Sequence, residues 1–402
     1  MTYSEMAHRD TADTQTGPVQ LHGTVLNVRR VDAYFAMTLV APAVAARFRP
    51  GQFISVAVGG TESSMMLSRA FSIHDVRPDH GGTVEIVFAT PGRGTQWLAD
   101  RRARDVVDVV GPLGRPFPLP RDPVNCLLVG GGYGSAALFA LAERLRERRC
   151  QLDYLLGAAS GDRVFGALTA RRTGRSATIT TEDGSLGSRG LVTDLLDQVI
   201  HDGRTDVIYA CGPMPMLRQV TVLARRYDIP VQVAVEEAMA CGTGVCMTCV
   251  LPIIGADGIT RMSRSCVDGP VFRGEQVRWD DIGTIPFDAF GAPGWEPRTL
   301  RGAQAAAEAN GGQAAKSGPA GNGGQAAKVG AGTKNRRSIR IAAAANGAGG
   351  GDSAGGEEAA RPATARAGGS RRTASGSGRA AGGSDRASSA GGRAARKHGH
   401  GS

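Results

Sequence analysis

The sequence predicts a multidomain β plus α/β protein: an antiparallel barrel, a parallel-sheet domain, a small cysteine-bearing domain and a disordered tail. Three observations predict it. Short alternating strands with turn residues between them recur from Val19 to Arg121. From Pro123 to Val233 short apolar strands alternate with helically spaced segments. Near Glu296 the large apolar residues give out, and Gly, Ala, Ser, Arg and Lys take over. The expected divisions are a flexible N-terminus over 1–17, the barrel over 18–121, the α/β domain over 122–233, the cysteine domain over 234–292 and the tail over 293–402.

The barrel rests on runs such as Gly23–Val28, Phe53–Val58 and Val84–Ala89, in which regular spacing of short strands favours a small closed antiparallel sheet. The next stretch changes rhythm. Cys126–Val129 reads as a buried strand, Gly130-Gly-Gly-Tyr-Gly134 as a turn, and Ser135–Arg148 as a helix with apolar residues at Leu138, Phe139, Leu141 and Leu145. Leu152–Leu156, Ala177–Thr180 and Val207–Ala210 read as further parallel strands, with a helix over Leu191–Ile200. That alternation is βαβ, which means a parallel sheet covered by helices.

The cysteines follow, over Val235 to Phe290. Cys241, Cys246 and Cys249 are spaced C-x4-C-x2-C, and Cys266 follows after sixteen intervening residues. This is the plant-type spacing for a [2Fe–2S] cluster, which needs four converging thiolates, three from one tight loop. Gly242 and Gly244 allow the loop to curl and its amides to approach the sulfurs. Structural zinc commonly uses two CxxC or CxxH pairs, and one is present here. A disulfide framework suits small secreted domains.

Four motifs upstream bear on nucleotide binding. Arg69-Ala-Phe-Ser72 reads as a strand that offers a cation and a hydroxyl to a flavin pyrophosphate. Gly92-Arg-Gly-Thr95 precedes an apolar helix start, where backbone amides favour phosphate. Gly130–Gly134 follows a strand and opens a helix, as in dinucleotide sites, although Ser135 stands where the third glycine of that fingerprint belongs. Cys211-Gly-Pro-Met214 follows a strand end, a position that faces the ligand crevice in open α/β sheets. Each motif alone has a plainer reading: a surface pair, a tight turn, an inert buried thiol. Cys126 and Cys150 read as core residues and His74 as structural.

Composition limits the partners. Of 47 Lys and Arg and 37 Asp and Glu in 402 residues, 17 and 6 lie beyond Trp295, so the body is close to neutral and the basicity belongs to the tail. The tail repeats Asn-Gly-Gly-Gln-Ala-Ala-Lys at 310–316 and 322–328, too few copies for a solenoid. It cannot bury enough apolar surface to fold. With no aromatic residue to stack on bases, only weak, salt-sensitive contact with nucleic acid is expected. The uncharged run Cys126–Ala142 is seventeen residues broken by glycines, a poor membrane span. Thiolate ligands and the absence of an apolar leader point to the cytoplasm.

Glu237–Cys249, Cys266–Phe272 and Thr181–Asp194, together with the flavin, glycine and CGPMPML motifs, resemble the electron-transfer subunit of NAD-dependent dihydroorotate dehydrogenase over about Gly17 to Phe290. The resemblance implies a ferredoxin-reductase-like FAD-binding barrel, an NAD-binding parallel-sheet domain and an appended [2Fe–2S] domain. It implies that Arg69, Phe71, Ser72, Gly94 and Thr95 contact FAD. It also implies that Gly132 and Gly134 line the NAD site, with Cys211 and Gly212 near the reacting ring, and that the four cysteines ligate iron. The implied partner is the FMN-containing catalytic subunit, which oxidises dihydroorotate to orotate in pyrimidine biosynthesis, in a heterotetramer with two subunits of each kind. Electrons then run from FMN through the cluster and FAD to NAD⁺.

The chain departs from the family pattern at Ala70, where proline is usual, and at Gly114-Arg-Pro-Phe117, which lacks the usual glycine before Phe. No acidic residue marks the end of the second parallel strand, where Gly157-Ala-Ala-Ser160 stands, so NAD and NADP both remain open. The chemistry is coherent in itself: hydride carries two electrons, a cluster carries one, and a flavin converts between them. The same module could serve another catalytic subunit, as in sulfide dehydrogenase or NADH-dependent ferredoxin:NADP oxidoreductase. An iron–sulfur redox sensor is the reading from another class.

Overall fold

In the computed structural model, residues 17–60, 63–293 and 295 are described. The expected N-terminal arm up to residue 16 and the basic tail from residue 296 lie outside them, as does all of the second unit into which the chain divides, Gly347–Ser402.

Alternating apolar residues build the first sheet. Its strands are β1 (Val19–Val31), β2 (Tyr34–Val40), β3 (Phe53–Val56), β4 (Arg69–Arg77), β5 (Thr83–Phe88) and β6 (Val106–Leu113), with α1 (Pro42–Ala45) before β3 and α2 (Arg93–Ala99) before β6. They close into an antiparallel barrel in the order β1-β2-β5-β4-β3-β6. Closure leaves no unpaired edge. Every second side chain points inward, and Met37, Leu39, Ile54, Val56, Ile73, Val84 and Ile86 are fully buried there.

The second sheet begins with β7 (Asn125–Gly131) and continues with α3 (Ala136–Glu147), β8 (Gln151–Ala158), α4 (Ala167–Thr173), β9 (Ser176–Thr181) and β10 (Ser188–Arg189). After α5 (Leu196–Gly203) come β11 (Val207–Cys211), α6 (Met214–Arg225) and β12 (Val231–Ala234). The helix expected from Leu191 starts as a 3-10 turn over Val192–Leu195 and becomes α-helical only at Leu196. Two glycines of the expected turn, Gly130 and Gly131, belong to β7, and the turn itself is Gly132–Ser135.

The strand order is β10-β9-β8-β7-β11-β12, all parallel. The direction of winding reverses between β7 and β11, which opens a crevice at their carboxyl ends. The last stretch adds a β13 (Val250–Ile254) and β14 (Thr260–Arg264) hairpin, then β15 (Val271–Arg273), which joins the large sheet antiparallel beside β12. The cysteine-bearing stretch is thereby tied to the sheet at its edge. Among the described residues no helix is long and apolar enough to cross a membrane.

The barrel and the sheet are stitched by specific bonds. Tyr34 Oη donates to the Arg163 carbonyl at 2.8 Å, and Ala33 N–H to Asp162 at 3.1 Å. Nδ1 of His74 donates to the Ala136 carbonyl at 2.8 Å, while its ring packs edge-on against Phe139 and Phe165. Inside the sheet, Asp153 is 2 % exposed and accepts from Ser176 Oγ at 2.7 Å and from the Arg175 guanidinium, which also donates to the Gly203 carbonyl at 2.7 Å. Arg175→Met strands that carboxylate; with the arginine partly solvated, the expected loss is about 2–3 kcal/mol in urea denaturation. A variant as stable as the wild type shows that Asp153 needs no cation.

Candidate functional site

The cysteine loop follows β12 and curls between the barrel and the β13–β14 hairpin. Gly244 and Met247 both have φ in the left-handed region, at 87° and 58°. A Cβ on Gly244 would stand 2.6 Å from Val267 Cγ2, so the loop can pack there only as glycine. The N–H groups of Thr243 and Cys246 point at Cys241 Sγ, at 3.4 and 3.5 Å, and Thr248 Oγ1 donates to Cys246 Sγ at 3.1 Å.

No three His, Cys, Asp or Glu side chains among the described residues are gathered as for a single ion. The thiols instead approach in two pairs, Cys241 with Cys246 and Cys249 with Cys266, and Cys266 also feels the charge of Cys241. Two adjoining thiol pairs suit two bridged irons better than one tetrahedral ion. One pair is held at the surface and the other is buried, Cys249 at 2 % and Cys266 at 1 % exposure. Burial works to raise the Cys241 thiol, but the amides of Cys246 and Thr243 outweigh it and hold it at about 6. Cys266 goes the other way, pushed up to about 12 by burial and by its neighbour Cys249. A cationic metal offsets that cost for the buried pair.

The loop sits on the barrel. Cys249 and Cys266 pack with Phe53 of β3 and Leu113 of β6. A Cβ on Gly242 would touch Leu113 Cδ1 and the Ser55 side chain, each at 3.6 Å. Ser55 pairs directly with Ala70 of β4. The cysteine loop is therefore one strand, about 5 Å, from the Arg69–Ser72 strand.

Arg69 opens that strand. Its Nη1 donates to the carbonyls of Leu67 at 2.6 Å and Ser68 at 3.3 Å, which leaves Nε and Nη2 without partners among the described residues. A Cβ on Gly94 would stand 3.1 Å from Arg69 Nε, so the bare glycine lets the guanidinium lie against the start of α2. Arg69 and Gly94 are thus brought together. Phe71 and Ser72 are not: the strand alternates, so Phe71 turns into the barrel against Phe88 while Ser72 faces outward. The cation and hydroxyl of this motif lie on opposite faces because three residues is an odd spacing on a strand. Thr95 Oγ1 is turned back onto Gly92, donating to its carbonyl at 3.0 Å.

At the crevice, Gly134 and Gly212 bring the ends of β7 and β11 into contact. A Cβ on Gly134 would lie 2.8 Å from Gly212 Cα and 3.0 Å from its nitrogen. Gly132 begins the turn at φ 54°, and Ser135 Oγ pins that turn by donating to the carbonyls of Gly132 and Phe165, at 2.8 and 3.0 Å. Cys211 ends β11 at 8 % exposure, its thiol pushed up to about 12 by burial and by the charge of Glu236. Motif reading passed over Tyr34, Tyr133 and Glu236. Tyr133 Oη donates to Glu236 Oε1 at 3.2 Å, and its ring meets that of Tyr34 edge-on at 5.4 Å. Tyr133 was visible inside the glycine run; Glu236 comes from 103 residues away and no local signal marks it.

Residues 236–278 match the family described as the iron-sulfur cluster binding domain of dihydroorotate dehydrogenase B. Over 247 residues the chain is 34 % identical to the dihydroorotate dehydrogenase B (NAD(+)) electron transfer subunit of Desulforamulus reducens, a span of 61 % of this chain and 93 % of that one. It is 38 % identical to the subunit of the same description from Geobacillus kaustophilus, over 60 % of this chain and 92 % of that one. Among solved structures, an NADH-dependent reduced ferredoxin-NADP oxidoreductase, described for flavin-based electron bifurcation, is 30 % identical with a TM-score of 0.58, over 65 % of this chain and 91 % of that one.

Proposed function

The chain belongs to the family of dihydroorotate dehydrogenase B electron-transfer subunits, and from that membership we propose how its parts divide the work. It passes electrons from a catalytic subunit to NAD⁺, using FAD and a [2Fe–2S] cluster, in pyrimidine biosynthesis. Bound flavin exchanges electrons in pairs with a nicotinamide and singly with a cluster, which is the conversion such a relay needs. Cys241, Cys246, Cys249 and Cys266 hold the cluster. Arg69, lying over Gly94, neutralises the flavin pyrophosphate, and Ser72 and Thr95 lie on the same two elements. Phe71, with its ring in the barrel core, serves the flavin through its backbone. Gly132, Gly134 and Gly212 admit the dinucleotide backbone, and Cys211 closes the floor beneath the ring.

We read the chain as a flavin barrel over 18–121, a dinucleotide domain over 122–233 and a cluster domain over 234–292. The partner is an FMN-containing subunit that oxidises dihydroorotate, two copies of each forming the assembly, in the cytoplasm, where thiolates stay reduced. One observation carries the reading: the cysteine loop rests on Ser55 of β3, whose neighbour in the sheet is Ala70 of the flavin strand. A cluster in that loop is close to a flavin on that strand and reaches the surface at Cys246, where a partner can deliver electrons.

The test is anaerobic reduction of NAD⁺ by dihydroorotate, with the chain reconstituted with FAD, iron and sulfide and mixed with the FMN subunit. NADH is expected only in the mixture. If NADH bleaches the flavin and cluster but dihydroorotate yields no NADH in the mixture, the relay stands and the partner assignment falls.

A further inference from the structure

Four side chains meet where β7 and β11 end. Tyr34 and Tyr133 stack edge to face, Tyr133 Oη donates to Glu236 Oε1 at 3.2 Å, and Cys211, at the end of β11, is close enough for the charge of Glu236 to act on its thiol. Glu236 follows β12, and Val235 N–H is tied to the Pro270 carbonyl at 2.9 Å, which anchors the start of the cysteine stretch. The bond to Tyr133 is the only hydrogen bond of the Glu236 side chain among the described residues, and no cation pairs with it there. Burial and the Glu236 charge keep both the Tyr133 hydroxyl and the Cys211 thiol protonated at neutral pH, each pushed up to about 12. Glu236, exposed and without an ion pair among the described residues, therefore stands beside a protonated phenol and a protonated thiol, with Asp162 and Arg163 acting on Tyr34.

We propose that Glu236 sets the preference of this crevice for oxidised over reduced dinucleotide, its carboxylate facing the charged nicotinamide ring. The inference rests on reading the crevice as the nicotinamide site. NAD⁺ and NADH share the adenosine, both riboses and the pyrophosphate, so contacts to those parts cancel in the ratio of their affinities. They differ by one positive charge on the ring. A carboxylate beside it attracts the oxidised ring and is indifferent to the reduced one. In a relay that ends on NAD⁺, this favours substrate entry and product departure. It also makes Glu236 a link between the cysteine stretch and the ring, since the same segment leads into the cluster loop.

The experiment measures binding to oxidised holoprotein of NAD⁺ and of tetrahydro-NAD, a redox-inert analogue with a neutral ring. Glu236→Gln is expected to lower the ratio of the two affinities about fivefold, mostly through weaker NAD⁺ binding, for a partly solvated charge. Glu236→Asp keeps the charge and restores most of the ratio. Tyr133→Phe removes the hydrogen bond but not the charge and leaves the preference for NAD⁺ in place. A ratio unchanged in Glu236→Gln, with both ligands still bound, overturns the role of Glu236 and spares the site. Failure of the wild type to bind either ligand overturns the site reading and the inference with it. Should Glu236→Gln lose its visible spectrum, the wild type itself decides: the ratio should fall as salt rises from about 0.05 to 0.5 M, as screening requires. A salt-independent ratio rejects the charge mechanism.

Discussion

Cys249→Ser is expected to abolish the cluster while sparing the flavin. Cys249 is 2 % exposed, packed with Cys266, Phe53 and Leu113, and its carbonyl receives the Ser265 N–H at 2.8 Å. Serine nearly matches its volume, so the hairpin and barrel contacts survive. A hydroxyl left there without a partner costs about 1–3 kcal/mol, a tolerable loss. Iron is another matter, because clusters of this kind select soft thiolate over hydroxyl oxygen. Iron and acid-labile sulfide should fall to background, as should transfer from dihydroorotate to NAD⁺. NADH-to-dye turnover should remain, since neither β4 nor the β7–β11 crevice contains Cys249. Wild-type cluster absorbance in the purified variant removes Cys249 from the ligand set.

Gly134→Val should close the β7–β11 crevice to a dinucleotide and leave flavin and cluster binding intact. The new Cβ would meet Gly212 Cα at 2.8 Å, its nitrogen at 3.0 Å and the Cys211 carbonyl at 3.1 Å, all backbone. Those atoms cannot retreat without breaking the β7–β11 register, in which Cys211 pairs with Gly130. Overpacking of this kind costs about 1–3 kcal/mol and displaces the two loops that form the crevice. NADH-to-dye turnover is expected to fall at least about a hundredfold, since small misplacements alone can have that effect. Gly132→Ala is the contrast. Its Cβ meets only Tyr34 Oη, at 3.4 Å, and the cost is about 1–2 kcal/mol for a left-handed residue. Flavin and cluster spectra report folding in both variants. Gly134→Val turning over NADH like the wild type separates this glycine from the site.

Whatever is written at short range was legible in the chain. Alternation of period two marked the barrel strands, the change to βαβ rhythm marked the parallel sheet, and the spacing of Cys241, Cys246 and Cys249 marked the loop, because each signal lies within a few turns of chain. Even there a period carries hidden consequences: Arg69 and Ser72 read as partners along the sequence, yet a strand sends them to opposite faces. Which distant segments meet emerged only from the folded arrangement. It set the cysteine loop on Ser55 and Leu113, joined β15 to the edge of β12, and brought Glu236 to Tyr133. Such contacts depend on how whole elements pack, and packing follows from summed shape and burial across the fold rather than from any local pattern. That is why a glutamate with no motif around it stands at the crevice, while four cysteines with a legible spacing still needed the barrel wall to bring them beside the Arg69–Ser72 strand.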